Sequence, residues 1–425
     1  MIEGTSEEDA LQISSARRLL SPERVEAIMG KLRREAGSTD VLSRQIEVLE
    51  SAGDVILRSG NRVTLLIDGP TTYAAMFKAI RNAKDNINLE TFIIADDEEG
   101  RQLSDLLLEK QASGIQVSII YDSVGSVHTP AAFFERLRVG GIRVVEFNPI
   151  SLLKVRDLTH RDHRKILVVD GRLVITGGVN ISGVYVSGVS GEEESSLPWR
   201  DTDIMIEGPA VADYQSLFLD TWKKQNGPEL PEANYFPQLK NQGKDLILVV
   251  ANSPGKQNRL TFISYASAII FAEHSIHLTN AYFVPDKQMI DALTDAAARG
   301  VDVKIILPKV TDSSLALYAG HYYYSNLLAA GVKLFERRAA MLHAKTGVID
   351  GVWSTVGSSN MDFWSFWFNN EVNAIILSSE FAARMEQMFD ADIENSDQVT
   401  LKEWNERPLY PRVRELIAHI LQHWL

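Results

Sequence analysis

The stretch H-R-K-I-L-V-V-D-G-R-L-V-I-T-G-G-V-N at residues 163–180 decides the fold, because it recurs as H-A-K-T-G-V-I-D-G-V-W-S-T-V-G-S-S-N at residues 343–360. Each copy has a His, a Lys two positions later, an Asp five positions after the Lys, then Gly-Gly or Gly-Ser and an Asn. In each copy Asp-Gly separates two apolar runs, which predicts a β-hairpin. Two such matches are not expected by chance, so the repeat is a signal of both structure and chemistry.

Each predicted hairpin presents an imidazole and an ammonium group on one face. Side chains two positions apart on a strand point the same way, so His163 lies beside Lys165, and His343 beside Lys345. The alternative for a single copy is a structural His and a solvated Lys. The repetition favours the chemical interpretation.

Strand and helix patterns around the hairpins also repeat. Predicted strands at 63–67, 87–94, 117–121 and 144–147 alternate with predicted helices at 73–83, 102–112 and 133–139. Segments 79–89, 114–120 and 140–144 resemble 268–278, 300–306 and 330–334. This pattern predicts an α/β fold built by internal duplication, with pseudo-twofold symmetry and an active site at the seam of the halves. We expect a helical N-terminal extension (1–55), a first half (56–230), a second half (231–398) and a C-terminal amphipathic helix (399–425).

Composition narrows the class of protein. The chain has 425 residues, 45% of them hydrophobic and 23% charged, which is typical of globular proteins. Its net charge of -13 argues against a large nucleic-acid interface. Without cysteine the chain has no disulfide and no thiolate metal site. No apolar run reaches the length of a membrane span and the N-terminus lacks a signal-peptide pattern, so we expect a soluble or peripheral protein.

Two apolar segments bear on lipid contact. The run F-W-S-F-W-F at 363–368 is expected to be buried packing, with a lipid-facing rim as the alternative. The matching place in the first half, 186–197, is rich in Gly, Ser and Glu and predicts a surface loop. Residues 412–425 carry an apolar stripe at helical spacing, which we expect to dock on the body; an interfacial membrane helix is the alternative. The stripe consists of Val413, Leu416, Ile417, Ile420, Leu421, Trp424 and Leu425.

Two imidazoles, two ammonium groups and two Asn amides at one site suit a phosphodiester. The cations neutralise phosphate oxygens, one His attacks phosphorus and the other protonates the leaving oxygen. This chemistry requires no metal and no cofactor. A metal site at His160 and His163 is the alternative, but no third ligand is evident nearby.

A His that acts this way needs an acidic partner to fix its tautomer. Asp201 in R-D-T-D and Glu371 in N-N-E-V-N follow the two hairpins at matching places. We expect them to orient the histidines; surface charges are the alternative.

The paired motifs resemble those of the phospholipase D superfamily. The flanking segments resemble its bacterial cardiolipin synthase branch, and the similarity covers about residues 61–395: D-G-P-T-T-Y (68–73), N-L-E-T-F (88–92), Y-D-S-V-G-S (121–126), F-N-P (147–149) and H-R-D-H-R-K (160–165). The resemblance implies two phospholipase D-type α/β/α sandwich halves that form one site. It also implies a phosphohistidine intermediate and transfer of a phosphatidyl group from one phosphatidylglycerol to another, with release of glycerol.

The resemblance also implies roles for individual residues. Asn180, Asn360 and Ser358 would bind the substrate phosphate together with the His and Lys pairs, and His163 would be the nucleophile by analogy. Asp170 and Asp350 belong to the catalytic motif. A structural role suits them better, in which they hold the turns and the lysine partners. This sequence departs from the branch at Trp364, where Arg is usual, and it lacks the branch's N-terminal spanning helices.

The expected substrate partner is a phospholipid, either phosphatidylglycerol or phosphatidylethanolamine. We expect the protein to bind it as a peripheral protein at a bacterial cell membrane. No nucleic-acid partner is expected, and a homo-oligomer is left open. The basic stretch 154–165, with five Lys or Arg and two acids, suits an anionic headgroup. The competing interpretations are a phospholipase D-type hydrolase with water as acceptor, a nuclease, and a non-catalytic membrane protein with a relict site.

Overall fold

The structure is a computed structural model that describes residues 12–15, 20–35, 41–52, 56–150, 159–190, 193–194, 197–254 and 259–422. A sheet of sixteen strands runs through this part of the chain, with helices packed on both faces. Across the described ranges, no helix combines the length and apolar content that a membrane span requires.

The N-terminal extension and the first half contain these elements. The strands are Gln12–Ser14, Ile56–Ile67, Asn86–Thr91, Gln116–Asp122, Arg143–Phe147, Ile166–Val169, Leu173–Gly177, Val189–Ser190, Glu193–Glu194, Trp199–Arg200 and Thr202–Glu207. The helices are Pro22–Glu35, Val41–Ala52, Asp68–Arg81, Glu98–Ala112, Ala131–Val139 and Val211–Lys224, with a 3₁₀ turn at Gly183–Tyr185.

The second half and the C-terminal segment contain the remaining elements. The strands are Asp245–Asn252, Ser275–Asn280, Phe283–Val284, Asp302–Pro308, Lys333–Arg337, Met341–Leu342, Lys345–Ile349, Trp353–Gly357, Met361–Asp362, Glu371–Leu377 and Ser396–Val399. The helices are Leu260–Phe271, Lys287–Ala298, Ser314–His321, Tyr324–Ala329, Phe363–Trp367, Ser379–Glu394, Leu401–Asn405 and Leu409–Leu421.

Strand order confirms the predicted α/β duplication. From the outside inwards, the first half reads 143–147, 116–122, 86–91, 166–169, 173–177, 202–207 and 56–67. The second half repeats this order with 333–337, 302–308, 275–280, 345–349, 353–357, 371–377 and 245–252. The innermost strands of the two halves are antiparallel neighbours, so the halves share one sheet around a pseudo-twofold axis.

Both predicted hairpins are confirmed. The backbone angle φ is 54° at Asp170 and 60° at Gly171, and it is 51° at Asp350 and 62° at Gly351. Positive φ at both central residues is the turn geometry that matches the twist of paired strands, and Asp-Gly tolerates it well. The turn chemistry therefore fixes the same hairpin register twice.

Alternate residues of the first hairpin strand enter different cores. Leu167 joins an apolar cluster within the first half, whereas Ile166 and Val168 join a cluster shared by both halves. The shared cluster also receives side chains from the helices Val211–Lys224 and Ser379–Glu394. Burying each such side chain contributes about 1.5–3 kcal/mol, so the seam is held by a common core.

The N-terminal extension packs on the second half. The helix Val41–Ala52 lies against Leu260–Phe271, and Gln45 Nε2 donates to the Ser264 carbonyl at 3.0 Å. The strand Gln12–Ser14 pairs with the first strand of the first half. We predicted a helical extension, and its described part contains this strand beside two helices; three residues are too few to show a strand period in the sequence.

The C-terminal helix docks through the face opposite to the one expected. Glu415 and Ala418 are buried, whereas the apolar stripe points outwards. We call the exposed aliphatic residues of this helix the C-terminal apolar face; they are Leu409, Val413, Leu416, Ile417, Ile420 and Leu421, each between 41% and 76% exposed. The expected docking through this stripe is therefore wrong. Trp424 and Leu425 lie outside the described residues.

Candidate active site

Two short parallel pairings cross the seam beside the histidines. Asp162 pairs with Asn370, and Trp199–Arg200 pairs with Met341–Leu342. As a result, the segment before each motif histidine runs beside the segment that precedes the acidic residue of the other half. The backbone N–H of the first histidine donates to a carbonyl of the second half at 3.0 Å, and that of the second donates to a carbonyl of the first half at 2.8 Å.

His343 is held by an acid from the first half. Its Nδ1 lies 2.6 Å from Asp201 Oδ2, and Asp201 is fully buried. Because a carboxylate only accepts hydrogen bonds, Nδ1 carries the hydrogen and Nε2 keeps its lone pair when the ring is neutral. Burial and the nearby Lys345 lower the pKa of His343 to about 4. At neutral pH this imidazole is therefore neutral, with Nε2 available.

Asp201 itself is kept ionised. Burial acts to raise the pKa of its carboxyl, but the adjacent His343 and Lys345 more than offset this, so the pKa lies below its usual value. The close approach of Asp201 also requires a glycine at Gly178, since a Cβ there would lie 2.1 Å from Asp201 Oδ1. This contact gives one physical reason for the Gly pair after the first hairpin.

His163 has the reciprocal arrangement with an acid from the second half. Its Nδ1 lies 3.3 Å from Glu371 Oε1, and the Asn369 amide nitrogen lies 3.5 Å from the same ring nitrogen. The Ser358 hydroxyl donates to Glu371 Oε2 at 2.5 Å. The sequence predicted that Asp201 and Glu371 orient the histidines; the structure places each acid on the histidine of the opposite half.

Both motif lysines are buried between these groups. Lys165 Nζ donates to the carbonyl of His163, at 2.5 Å, and Lys345 Nζ donates to the carbonyl of His343. Burial lowers the pKa of Lys165, and it lowers that of Lys345 to about 8. Asp201 and Glu371 act on both lysines in the opposite direction. The two motifs thus form one electrostatic site.

We expect kcat/KM to fall as pH rises through about 8, the pKa of Lys345. The ammonium form exists below the pKa, and its loss removes a charge that attracts the phosphate. Lys345→Arg keeps its charge and should therefore carry activity to higher pH, at a lower rate. Rates measured from about pH 6 to pH 10 test this. If kcat/KM fell at the same alkaline pH in both proteins, the role of Lys345 in this pH dependence would be contradicted.

The three predicted phosphate-binding residues differ in their surroundings. Asn180 Oδ1 accepts from the Ile93 N–H at 3.1 Å and its Nδ2 donates to Tyr185 OH at 2.9 Å, so its amide is tied into the first half. Asn360 lines a cavity and its Oδ1 is buried with no partner among the described residues. Ser358 donates to Glu371 and is fully buried. Ser358 therefore holds Glu371, and its expected contact with substrate stays a prediction.

Asp170 and Asp350 lie at the far ends of the hairpin strands. The Asp170 carboxylate accepts backbone N–H groups of residues 84–86 at 2.8–3.1 Å, and Asp350 does the same for residues 273–275 at 2.8–3.0 Å. A strand separates each Asp from its motif Lys by about 16 Å, at about 3.3 Å per residue. Counting them with the catalytic residues, or as lysine partners, is therefore wrong. They hold the turns.

Asp170→Ala is expected to lower the free energy of unfolding by about 2–4 kcal/mol, because several backbone N–H groups lose their acceptor. Urea unfolding followed by circular dichroism measures this. Asp350→Ala provides the matched variant in the second half and should behave alike. Turnover of the folded variants should stay close to that of the parent. Lost turnover with unchanged unfolding would contradict the structural role.

The basic stretch before the first motif is not an open patch where the structure describes it. Arg161 NH1 lies 3.3 Å from Asp122, and Arg164 NH1 lies 3.7 Å from Glu90. These guanidinium groups are paired with acids of the protein, and Arg161 also lines the cavity described below. The expected contact of the basic stretch with a lipid headgroup stays a prediction, and residues 154–158 lie outside the described ranges. His160 Nε2 lies 3.1 Å from the Asn370 side-chain oxygen, across the seam.

Aromatic side chains around the histidines were not predicted from the sequence. Tyr185 OH lies 3.4 Å from His343 Nδ1, and the Trp199 ring centroid lies 5.0 Å from that of His343. Phe92 packs against the ring of His163 at 4.4 Å. These contacts restrict the orientation of both rings. Phe92 lies far from the motifs in the sequence. Tyr185 follows Asn180 by five residues and Trp199 precedes Asp201 by two, but neither spacing indicated a contact with His343.

A cavity of about 1050 Å³ opens beside His163. Asn360 and Asn369 line it near the histidine, and most of the remaining wall comes from the second half. Apolar and aromatic side chains contribute much of this wall, including Val284, Ile290, Ala316, Tyr322, Tyr323, Phe363 and Trp364. Phe366 is buried as expected, whereas the other four aromatic side chains at 363–368 are half-buried, so the expected packing holds for one of the five. Two of them also face the cavity.

The two halves match one protein family. The family described as cardiolipin synthase, PLD-like domain, matches residues 76–222 and 265–393. A cardiolipin synthase of Halalkalibacterium halodurans is 32% identical over 424 residues, which cover 99% of this chain and 82% of that protein. A cardiolipin synthase A of Pseudomonas aeruginosa is 36% identical over 368 residues, which cover 85% and 74%.

Solved structures share the fold. A phosphatidylserine synthase of Haemophilus influenzae has a TM-score of 0.63 and 14% identity, and the match covers 85% of this chain and 93% of that one. A polyphosphate kinase of Porphyromonas gingivalis has a TM-score of 0.53 and 11% identity, and the match covers 86% and 53%. At such identities the likeness shows the fold alone.

Proposed function

This chain belongs to the cardiolipin synthase, PLD-like domain family, and from that premise we propose that it transfers a phosphatidyl group between two phosphatidylglycerol molecules. The products are cardiolipin and glycerol. The protein works as a peripheral protein at the surface of the membrane that holds its substrate.

The observation that carries the proposal is the pair of carboxylate–imidazole contacts that cross the seam. Asp201 lies 2.6 Å from His343, and Glu371 lies 3.3 Å from His163. One such pair supplies a single positioned base. Two pairs beside two buried lysines supply both a nucleophile and an acid around one phosphate, which is what a two-step displacement at phosphorus requires.

In the first step, Nε2 of one histidine forms a bond to the phosphorus of a phosphatidylglycerol, and the bond from phosphorus to the headgroup oxygen breaks. The other histidine gives its proton to that oxygen, and glycerol leaves. In the second step, a headgroup hydroxyl of another phosphatidylglycerol gives its proton to this histidine and attacks phosphorus, while the phosphorus–nitrogen bond breaks. Two phosphatidylglycerol molecules thus yield one cardiolipin and one glycerol.

The surrounding residues support these steps. The acids keep the hydrogen of each ring on Nδ1, so that Nε2 faces the phosphate. Lys165 and Lys345 stabilise the charge that develops on the phosphate oxygens. The cavity beside His163 has the apolar walls that a lipid requires. Its described lining includes Arg161 and Lys287 but also Asp286, Asp291 and Asp362, which is not the strongly basic surface on which nucleic-acid binding depends.

The test is mass spectrometry of lipids after the purified chain is incubated with phosphatidylglycerol vesicles, alone and with phosphatidylethanolamine added. His343→Ala serves as the inactive control. Cardiolipin and glycerol from the parent protein alone are the expected result. Phosphatidic acid without cardiolipin would instead make water the acceptor and the protein a hydrolase. No product under either condition would overturn the proposal.

A further inference from the structure

The C-terminal apolar face is the densest group of exposed apolar side chains in the described part of the chain. Ile420 is 65% exposed, Val413 53% and Ile417 52%, and they follow one another at helical spacing. Soluble proteins rarely leave such a continuous stripe in water, and an exposed stripe of this kind marks an interaction surface.

The opposite side of the same helix forms part of the cavity wall. His419 and Gln422 line the cavity. The His419 ring stacks on Tyr322 with centroids 3.8 Å apart, and Tyr323 OH donates to Gln422 Oε1 at 2.9 Å. The helix is therefore fixed between the cavity on one side and solvent on the other. Whatever covers the outer face lies next to the cavity that opens beside His163.

The charges on this helix favour an anionic partner. Arg412 and Arg414 are exposed beside the apolar stripe. The single acid of the helix, Glu415, is turned inwards and pairs with Arg407 at 2.6 Å. The outer side thus combines apolar side chains with positive charge and has no carboxylate. This combination is typical of helices that lie in the surface of anionic bilayers.

We propose that the C-terminal apolar face inserts into an anionic phospholipid bilayer and holds the cavity against that bilayer. This inference rests on the proposed function, because it gives the lipid substrate its route. Substrate enters the cavity from the same leaflet, past the helix that anchors the protein. The lipid never has to leave the bilayer for bulk water.

The test uses the full chain with Ile417→Glu and Ile420→Glu combined, in co-sedimentation with vesicles. We expect binding to phosphatidylglycerol vesicles to weaken about tenfold or more, because two charges replace exposed apolar side chains that would insert into the bilayer. Pure phosphatidylcholine vesicles should bind the parent protein more weakly. Val139→Glu, a change at a side chain that is 80% exposed in the first half, is the matched control and should bind as the parent does.

A second readout separates anchoring from chemistry. With short-chain phosphatidylglycerol dispersed below its micelle concentration, the double variant should turn over substrate as fast as the parent, whereas it should lose most of its rate on vesicles. Unchanged vesicle binding by the double variant would overturn the inference. The inference would also fail if the parent protein formed a dimer, the double variant were a monomer and both bound vesicles equally well. A second copy of the chain would then cover the face. If the parent protein binds vesicles and the double variant does not, but no cardiolipin is made, the proposed function is wrong and the inferred membrane contact of the helix is still supported.

Discussion

His163→Ala and His343→Ala are each expected to reduce kcat by about 10⁴-fold or more, since removing a nucleophile or its acid partner disables both steps of a covalent displacement. The loss should appear in kcat because, in the proposed mechanism, both rings act on the reacting phosphate. Each ring is partly exposed, so neither change should unfold the chain. Thermal unfolding compared with the parent checks this.

The same two variants also distinguish nucleophile from acid. A phosphodiester with a nitrophenol leaving group needs no proton on the departing oxygen, so the variant that lacks the acid should release nitrophenol in a burst. The variant that lacks the nucleophile should release none. The resemblance favours His163 as nucleophile, whereas the low pKa of His343, about 4, keeps that ring neutral and suits it to attack. Substantial turnover in both variants would contradict the mechanism altogether.

Asp201→Asn is expected to reduce kcat by about 10³ to 10⁴-fold, because an amide can donate to Nδ1 of His343 and so move the ring hydrogen to Nε2. The 2.6 Å contact that fixes the tautomer in the parent is lost. Glu371→Gln should cost less, because the Glu371 carboxylate lies farther from its ring, at 3.3 Å, and also binds Ser358. Steady-state kinetics on phosphatidylglycerol micelles measures both.

A positioning role predicts more than a slower rate. KM should change little in Asp201→Asn, since the carboxylate faces the ring and not the lipid, and the pH at which the rate is half-maximal should move. A lower kcat accompanied by a lower free energy of unfolding, with no shift in the pH profile, would indicate that Asp201 has only a structural role. Thr202 N–H, which donates to Asp201 Oδ1 at 2.8 Å, can still be satisfied by the amide oxygen of the variant.

Local rules explain why the hairpins and the duplication could be predicted. Apolar runs joined by Asp-Gly specify paired strands without reference to the rest of the chain, and the order of strands follows once the repeat is seen. These local rules could not predict that Asp201 pairs with His343. This pairing depends on how the halves meet at the seam, which no spacing within one half encodes.

The errors have physical causes as well. Asp170 shares a motif with His163 and Lys165 in the sequence, but an extended strand carries it to the other end of the hairpin. The sequence showed the apolar stripe of the C-terminal helix at residues such as Val413 and Ile417. Helical spacing indicates only that the helix has one apolar face and one polar face. It does not state which face meets the protein.

The exchange of acids across the seam bears on how such a chain can have arisen. In neither half does the motif histidine receive its carboxylate partner from the same half, so a single half could act only by associating with another copy. Two identical copies would present two identical surroundings to the phosphate. Joining them in one chain frees each to diverge, and the cavity beside His163, walled mostly by the second half, is such a divergence. A reaction in which one lipid gives and another receives benefits from that asymmetry.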